Sequence, residues 1–489
     1  MNHDGPKPNI VFVRVAPWFK VENPHPQDTP INYDIAYITA MMDPSKYQIH
    51  LIDSYIRPFT LESLTQAVLE KSPRVVLVTS EGATIRVARS LIEEIKKKNS
   101  SISTVAFGRQ LMYLPEILLG PDRAVDALIL DEPELTALEL IDRMSQGADW
   151  KEVKGVTYWG ANGEIRRTPA REMIQDVDRL PFMNHELFNS PKYRQVSQSV
   201  RIFGKVRWGF LLASRGCPYP CTFCAPSIRR SYGQKFRARS PKLVADEMEH
   251  LKNRFGVNAV AFGDDVFTLD MKHTEEFCDE LIRRNLGIKW AIATRADRLT
   301  LPLLKKMRQA GCDSLALGIE SGNPRVLTHI KKAETKERME QAVREIQSLG
   351  FILNLTFIIG HPTETVEEME DTFRFARGLN ATYTQFHYFT PYPGTPTYRE
   401  YGLTYKDFDD GSHFNEVKTN FSKIQDDRLK TALKDFYKDY YCSPRFALNY
   451  LRYRLPYAVF NLSQELSLVN DSAKFMFRPQ TQTPVASGW

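Results

Sequence analysis

Three cysteines near the middle of the chain, Cys217, Cys221 and Cys224, stand in Cys-Pro-Tyr-Pro-Cys-Thr-Phe-Cys, spaced by three and then by two residues. Iron–sulfur clusters are held by cysteine thiolates, normally four of them. Three at this spacing can wrap one iron–sulfur cube and leave its fourth iron without a protein ligand, so that iron is open to something else. The alternatives are a zinc site or a purely structural cluster. Zinc usually takes four ligands from paired Cys/His hooks, and no second hook lies nearby. Of the other thiols, Cys278 beside Phe277 and Leu281, and Cys312 at the start of an apolar run, read as small core residues. Cys442 is a candidate hydrogen donor or extra ligand.

The elements that must position these residues alternate. From residue 208 onward, strand candidates fall at 208–213, 258–263, 289–294, 314–319, 353–359 and 384–389, with helical stretches between them. Ser240 followed by Pro241 marks one helix start, a capping residue before proline at the first helical position. Six strand–helix units fall short of eight, so an open, partial (β/α)6 barrel is expected, with its chemistry at the carboxyl ends of the strands. The residues just past each strand end support that. The cysteine motif comes first, then Gly263-Asp264-Asp265, Thr294-Arg295-Ala-Asp297 and Gly318-Ile-Glu320-Ser321-Gly322. Gly360-His361-Pro362-Thr-Glu364 and Pro391-Tyr-Pro393-Gly394-Thr395-Pro396 complete the series. Every unusual polar or Gly/Pro cluster falls on one rim.

The first 150 residues show the same alternation, with apolar strand runs at 9–13, 49–53, 75–79, 104–108 and 127–130. Continuous apolar strands alternating with helices argue for a parallel α/β sheet covered on both faces, of flavodoxin-like (Rossmann-like) type. Ligands of such sheets bind beyond the carboxyl ends, here Asp53, Thr79-Ser80, Gly108 and Asp131-Glu132-Pro133-Glu134. Residues 151–204 read as an ordered linker with a hairpin at Asn162-Gly163, and no chemistry is assigned to them. Residues 205–398 form the barrel and 399–470 a helical C-terminal cap, basic and aromatic near Arg445, Arg452 and Arg454. Residues 471–489 read as a disordered tail.

At 489 residues, 42% hydrophobic and 25% charged, with a formal charge of +6, the composition is that of a soluble protein of two or three domains. No apolar run spans a bilayer. The cysteine pattern is not a secreted disulfide framework, and the first residues lack a secretion signal, so a reducing cytoplasm is expected. Nucleic acid is not an expected partner. The basic, aromatic cap leaves peripheral membrane contact or a lipid open.

The cysteine spacing, with Phe223 just before the last thiol, resembles the signature of the radical S-adenosylmethionine (SAM) superfamily, and the later rim clusters match that family's pattern one by one. The resemblance implies a [4Fe-4S] cluster on Cys217, Cys221 and Cys224, with SAM on the open iron. It implies a SAM site at Phe223 (backbone near the adenine), Asp264, Arg295 (reaching the carboxylate), Glu320 and Ser321 (ribose or methionine portion), and Gly360 and Pro362 (adenine edge). His361 is left as a loop histidine.

The first 150 residues resemble the cobalamin (B12)-binding domain that precedes the barrel in B12-dependent members. The matching pieces are Val78-Thr79-Ser80, Phe107-Gly108 with Leu114-Pro115-Glu116, and Asp126 leading to Glu132-Pro133-Glu134-Leu-Thr136. That implies cobalamin at Asp53, Thr79, Ser80, Gly108 and Glu132. After Asp53, however, the chain runs Ser54-Tyr55-Ile56-Arg57-Pro58 with no histidine, and Arg109 stands where paired glycines are usual. A lower-axial histidine is therefore not expected, and an altered pocket serving as a scaffold is the alternative.

The implied activity is reductive cleavage of SAM and functionalisation of an unactivated carbon of a hydrophobic or polycyclic metabolite, by C-methylation. The rival is a ring-forming or oxidising enzyme acting on a tetrapyrrole- or lipid-type substrate. A non-catalytic iron–sulfur electron carrier is a third reading. Expected partners are a small-molecule substrate and an external one-electron reductant of flavodoxin or ferredoxin type. A tRNA methylthiolase is disfavoured, because the first domain carries no second cysteine set.

Overall fold

The computed structural model describes residues 6–16, 31–80, 84–108, 115–120, 122–194, 200–202, 204–224, 232–404 and 420–453. The tail expected at 471–489, most of the second C-terminal helical stretch and Arg109 lie outside the described residues.

Two parallel sheets organise the chain. In the first, β1 (Asn9–Arg14), β2 (Gln48–Asp53), β3 (Val75–Thr79), β4 (Ser103–Phe107) and β5 (Ala127–Ile129) pair in the order β2-β1-β3-β4-β5. Helices α1 (Tyr33–Met41), α2 (Leu61–Leu69), α3 (Ile85–Lys98), α4 (Pro115–Leu119) and α5 (Pro133–Gln146) intervene. This is the flavodoxin-like order. The expected hairpin forms as β6 (Val156–Trp159) and β7 (Ile165–Arg167), and it extends the same sheet antiparallel to β5. Strand parity divides the interior. Val11, Val13, Val76 and Val78 face α2 and α3 in one core. Ile10, Phe12, Leu77 and Val105 face α1 and α5 in a second core that is continuous with the barrel.

The second sheet is wholly parallel: β8 (Trp208–Leu211), β11 (Ala259–Phe262), β12 (Lys289–Thr294), β13 (Cys312–Glu320), β14 (Ile352–Ile359) and β15 (Tyr383–Tyr388), in that spatial order. A two-stranded ribbon, β9 (Ser214–Arg215) with β10 (Arg237–Ala238), brackets the cysteine loop. The helices are α6 (Pro241–Phe255), α7 (Met271–Arg284), α8 (Leu301–Gln309), α9 (Pro324–His329), α10 (Lys336–Ser348), α11 (Val366–Leu379) and α12 (Pro396–Glu400). The barrel is open, as six units require.

Helix signals mostly act as their chemistry predicts. Thr365 and Glu368 form a reciprocal capping box on α11. Gly256 takes the left-handed C-cap of α6 at φ +64°. Ser240 stands at the N-cap of α6 with Pro241 behind it, but its side chain makes no capping bond; its backbone amide instead donates to Asp178 Oδ1 (2.7 Å).

The open edge at β15 is covered by α13 (Asp426–Tyr441), which leads into α14 (Pro444–Tyr453). Phe436 stacks on Phe373 and packs against Phe386. The Tyr437 hydroxyl accepts from the Phe386 amide (2.8 Å). The Tyr441 hydroxyl accepts from the Thr384 amide (3.1 Å) and donates to the Thr384 carbonyl (2.7 Å). Side chains thus satisfy backbone groups that a neighbouring strand would otherwise take.

Candidate active site at the barrel rim

The cysteine loop leaves β9 at Gly216, whose φ is +92° and whose Cβ, if present, would fall 2.3 Å from the Lys235 carbonyl. Only glycine fits that turn. The loop is then pinned three times. The Cys217 amide donates to Gly233 (3.3 Å), the Thr222 amide to Ile330 (3.0 Å), and the Thr397 hydroxyl to the Thr222 carbonyl (3.2 Å). None of the three cysteines is in a disulfide; Cys221 is buried and the others are half-buried. Burial first, then the neighbouring Cys221, push the Cys224 thiol up to about 12. A thiol so placed ionises readily only against a compensating cation. Among the described residues no three His, Cys, Asp or Glu side chains converge on a single metal ion. A cube, which takes one thiolate at each of three irons, asks for no such convergence. Three thiols on one short loop are the donor set such a cube takes.

Facing the loop is a buried charge network. β13 carries an irregularity between Gly318 and Glu320, and Glu320 has a positive φ of +67°. Lys332 Nζ donates to Glu320 Oε1 (3.1 Å) and lies 3.4 Å from Glu334. Lys332 is buried; burial works against its ammonium, and Glu320 and then Glu334 hold its pKa above the ordinary value. Arg295 bonds Asp297 Oδ1 (2.9 Å) and the Lys332 carbonyl (2.9 Å), and pairs with Glu334 (3.5 Å). Its guanidinium lies 3.6 Å from the centroid of Tyr219, inside the cysteine loop. Neither Lys332 nor Glu334 was singled out from sequence. Their signal, a Lys-Lys-Ala-Glu run just after α9, reads as a solvated charge cluster until the fold buries it.

The other rim residues divide. Asp264 is buried and accepts from the Ala213 amide (3.0 Å) and the Ser214 hydroxyl; burial pushes its carboxyl up to about 7 against those bonds. Ser321 is buried with its hydroxyl bonded to Thr372 of α11 (3.0 Å) and to the Asn323 amide (3.1 Å). Both are occupied by protein partners. Gly360 takes φ +78°, and Glu364 Oε2 accepts from the Gly360 (2.6 Å) and His361 (3.0 Å) amides. Pro362 is buried beside them. His361 is fully buried, neither ring nitrogen has a hydrogen-bond partner, and its ring meets Phe223 (6.2 Å) and Phe389 (5.6 Å). Burial lowers its pKa to about 3, so the imidazole is neutral. Cys278 and Cys312 are buried, whereas Cys442 is exposed at the C-cap of α13.

In the first sheet, Ser80 directly follows β3 and has a buried hydroxyl with no partner, and Gly108 lies so close that its Cβ would be 1.8 Å from the Ser80 carbonyl oxygen. Glycine is required there because Gly108 closes against the Ser80 backbone; the Ser80 hydroxyl, beside buried Thr79, is the orphaned polar atom at these strand ends. Asp53 and Glu132 differ. Asp53 accepts from Tyr193 (2.8 Å) and the Tyr55 amide (2.8 Å), and pairs with Arg14 (3.5 Å). Glu132 accepts from the Ile174 amide (2.8 Å) and pairs with Arg215 (3.2 Å) and Arg237 (2.9 Å). Arg215 also binds Glu134 (2.6 Å) and lies over the rings of Tyr37 and Tyr232, while the Tyr232 hydroxyl donates to Asp34 (2.9 Å). These buried contacts join the carboxyl edge of the first sheet to the strand that enters the cysteine loop.

A thiol loop with three cysteines on the rim of an open six-stranded barrel, behind a flavodoxin-like sheet, defines a class. The chain belongs to the radical SAM superfamily, whose family model matches residues 211–376. It is 31% identical over 361 residues to an uncharacterized methyltransferase of Pyrococcus horikoshii, covering 74% of this chain and 76% of the relative. It is 28% identical over 384 residues to the anaerobic magnesium-protoporphyrin IX monomethyl ester cyclase of Rubrivivax gelatinosus, covering 77% and 67%. Its fold matches the radical S-adenosylmethionine methyltransferase TsrM from Kitasatospora setae with a TM-score of 0.64 at 19% identity, covering 80% of this chain and 76% of that one. Among the described residues, no helix is long and apolar enough to cross a membrane.

Proposed function

We propose that the chain is a cobalamin-dependent radical SAM enzyme that methylates an unactivated carbon of a small molecule. The observation that carries this reading is the joint placement of a pinned three-thiol loop, a buried Lys332–Glu320–Arg295 network beside it, and the unpaired Ser80 hydroxyl at the carboxyl edge of the attached sheet. When bound, the cluster supplies one electron for reductive cleavage of SAM to a 5′-deoxyadenosyl radical, and cobalamin supplies a transferable methyl group. The protein's part is geometric and electrostatic. Cys217, Cys221 and Cys224 hold the cluster. Lys332 and Arg295 offer cationic donors for a carboxylate, Arg295 as a planar fork. Glu320 offers acceptors for hydroxyl or ammonium groups, and Gly360, Pro362 and Phe223 admit a flat ring. Thr79, Ser80 and Gly108 hold the corrin, with Asp53 and Glu132 shaping its surround through the residues they bind. Burial of the rim groups excludes water from a reactive carbon radical.

A ring-forming or oxidising reaction is the second reading. It is favoured by the saturation of Asp53 and Glu132 with protein partners and by the similarity to the Rubrivivax cyclase. The substrate is a small molecule, the electron comes from an external flavodoxin or ferredoxin, and the setting is the reducing cytoplasm. The boundaries 1–150, 151–204, 205–398 and 399–470 stand as the working division of the chain.

The test is the cofactor content of protein made anaerobically with cobalamin supplied. Four irons and about one corrin per chain are expected. Iron and sulfide without corrin, even after reconstitution, would move the assignment to the second reading.

A further inference from the structure

Tyr219 stands inside the cysteine loop, midway between Cys217 and Cys221, with Pro218 and Pro220 on either side. Proline fixes φ, so the loop holds its central side chain in a narrow range of directions. The ring is half-buried, and the Arg295 guanidinium lies over its face, 3.6 Å from the centroid. The hydroxyl accepts from Arg298 Nε and donates to Asp297 Oδ2 (3.5 Å). Arg295, Asp297 and Arg298 all belong to the segment that follows β12. One side chain thus ties the cysteine loop to the strand end two places along the rim.

Little of Arg295 is left for a ligand. Nε donates to Asp297 Oδ1 (2.9 Å). Nη2 donates to the Lys332 carbonyl (2.9 Å), with longer contacts to Asp297, Ala333 and Glu334. Nη1 takes no protein partner among the described residues, and it is not sealed from solvent. The N–H groups of a guanidinium lie in its plane, so these bonds stop it from turning within that plane. They leave its tilt to whatever covers its face, which here is the Tyr219 ring. With a single free donor that tilt decides recognition, because a hydrogen bond weakens steeply as its angle closes. An aromatic ring holds a guanidinium flat through its negative face and through stacking.

Resting on the radical SAM reading of this rim, we propose that Tyr219 is a positioning residue for SAM: its ring sets the plane of Arg295 so that Nη1 is presented to the carboxylate of SAM. The tyrosine acts through Arg295 and need not touch the ligand. Because it sits between two of the three thiols, the segment that holds the cluster also aims the donor that reads the cluster's ligand. The two are therefore held in one piece rather than across two separately packed elements.

The experiment measures SAM affinity by equilibrium dialysis on cluster-reconstituted full-length protein, comparing wild type with Tyr219→Leu and Tyr219→Phe, and counts iron in each. Decarboxylated SAM, which keeps the adenosine, sulfonium and amine, is the control ligand. Tyr219→Leu should retain about four irons per chain. It should bind SAM about five- to thirtyfold more weakly, the loss expected of one partly desolvated cation–π contact. Tyr219→Phe keeps the ring under the guanidinium and should bind SAM within about twofold of wild type. Decarboxylated SAM should bind wild type and Tyr219→Leu equally. Unchanged SAM affinity in Tyr219→Leu, an equal loss for decarboxylated SAM, or a loss in Tyr219→Phe as large as that in Tyr219→Leu would overturn the assignment. So would loss of iron from Tyr219→Leu, which would make the ring part of the cluster's frame. The two readings fail separately. SAM binding that ignores Tyr219 sinks this inference alone, whereas the expected Tyr219 response in a protein that forms no 5′-deoxyadenosine under reduction sinks the radical reading and leaves the positioning role standing.

Discussion

Glu364 holds two backbone amides with one carboxylate oxygen, while its other oxygen is buried without a partner. Burial pushes its carboxyl up to about 8 from an ordinary value near 4.5, against the two amides that favour the anion. Between those pH values the folded chain keeps a proton that the unfolded chain has released, so stability falls as pH rises through that window and is lowest above it. Glu364→Gln keeps an oxygen for both amides and removes the titration. In urea unfolding series, wild type should lose on the order of a few kcal/mol relative to this variant between about pH 5 and 8.5. Parallel pH curves would contradict that. At this scale the cysteines and the rim clusters were legible because each is a rare residue type at a strand end. What a side chain does there was not. Asp264 and Ser321 turn back to bond their neighbours, and Lys332, which no sequence signal marked, is buried against Glu320.

Elements were the most legible layer. Strand runs lie where apolar continuity placed them, because parallel strands buried on both faces leave an unbroken signal. The hairpin was visible in Asn162-Gly163, but its attachment to β5 was not, since pairing partners are chosen by tertiary contact. The covering of the β15 edge was hidden for the same reason: tyrosines in an amphipathic helix do not announce that their hydroxyls meet a strand backbone. Tyr437→Phe and Tyr441→Phe keep the aromatic packing and remove those hydroxyls. Each should cost about 1 kcal/mol in urea unfolding, and the double variant should scatter more light on storage because the strand edge is bared. Unchanged unfolding midpoints and clear solutions would show that the edge needs no such cover.

At the scale of the molecule, the two sheets share one continuous core and a buried set of ion pairs. Arg215 is central: it binds Glu132 and Glu134 from the first sheet and precedes Cys217 by two residues. Removing one partner of a buried pair leaves charge uncompensated and costs roughly 3–5 kcal/mol. Arg215→Met should therefore lower the unfolding temperature and also reduce the iron retained after desalting. Arg14→Met, whose partner Asp53 lies within the first sheet, should lower stability while retaining iron. Equal iron retention in both variants would mean that the ion pairs hold the sheets together without positioning the cluster loop. None of this joint was legible in advance, because Glu132 and Glu134 sit where a ligand would be expected and arginines before a cysteine motif carry no pairing information.

The proposed chemistry requires that three thiolates hold a cluster whose remaining iron takes SAM. The decisive measurement is 5′-deoxyadenosine formed from SAM by anaerobically reconstituted protein under dithionite, with Cys217→Ala, Cys221→Ala and Cys224→Ala run alongside. Wild type should yield 5′-deoxyadenosine and methionine, and each of the three variants should yield none. Zinc in place of iron, or an intact reduced cluster that leaves SAM uncleaved, would contradict it.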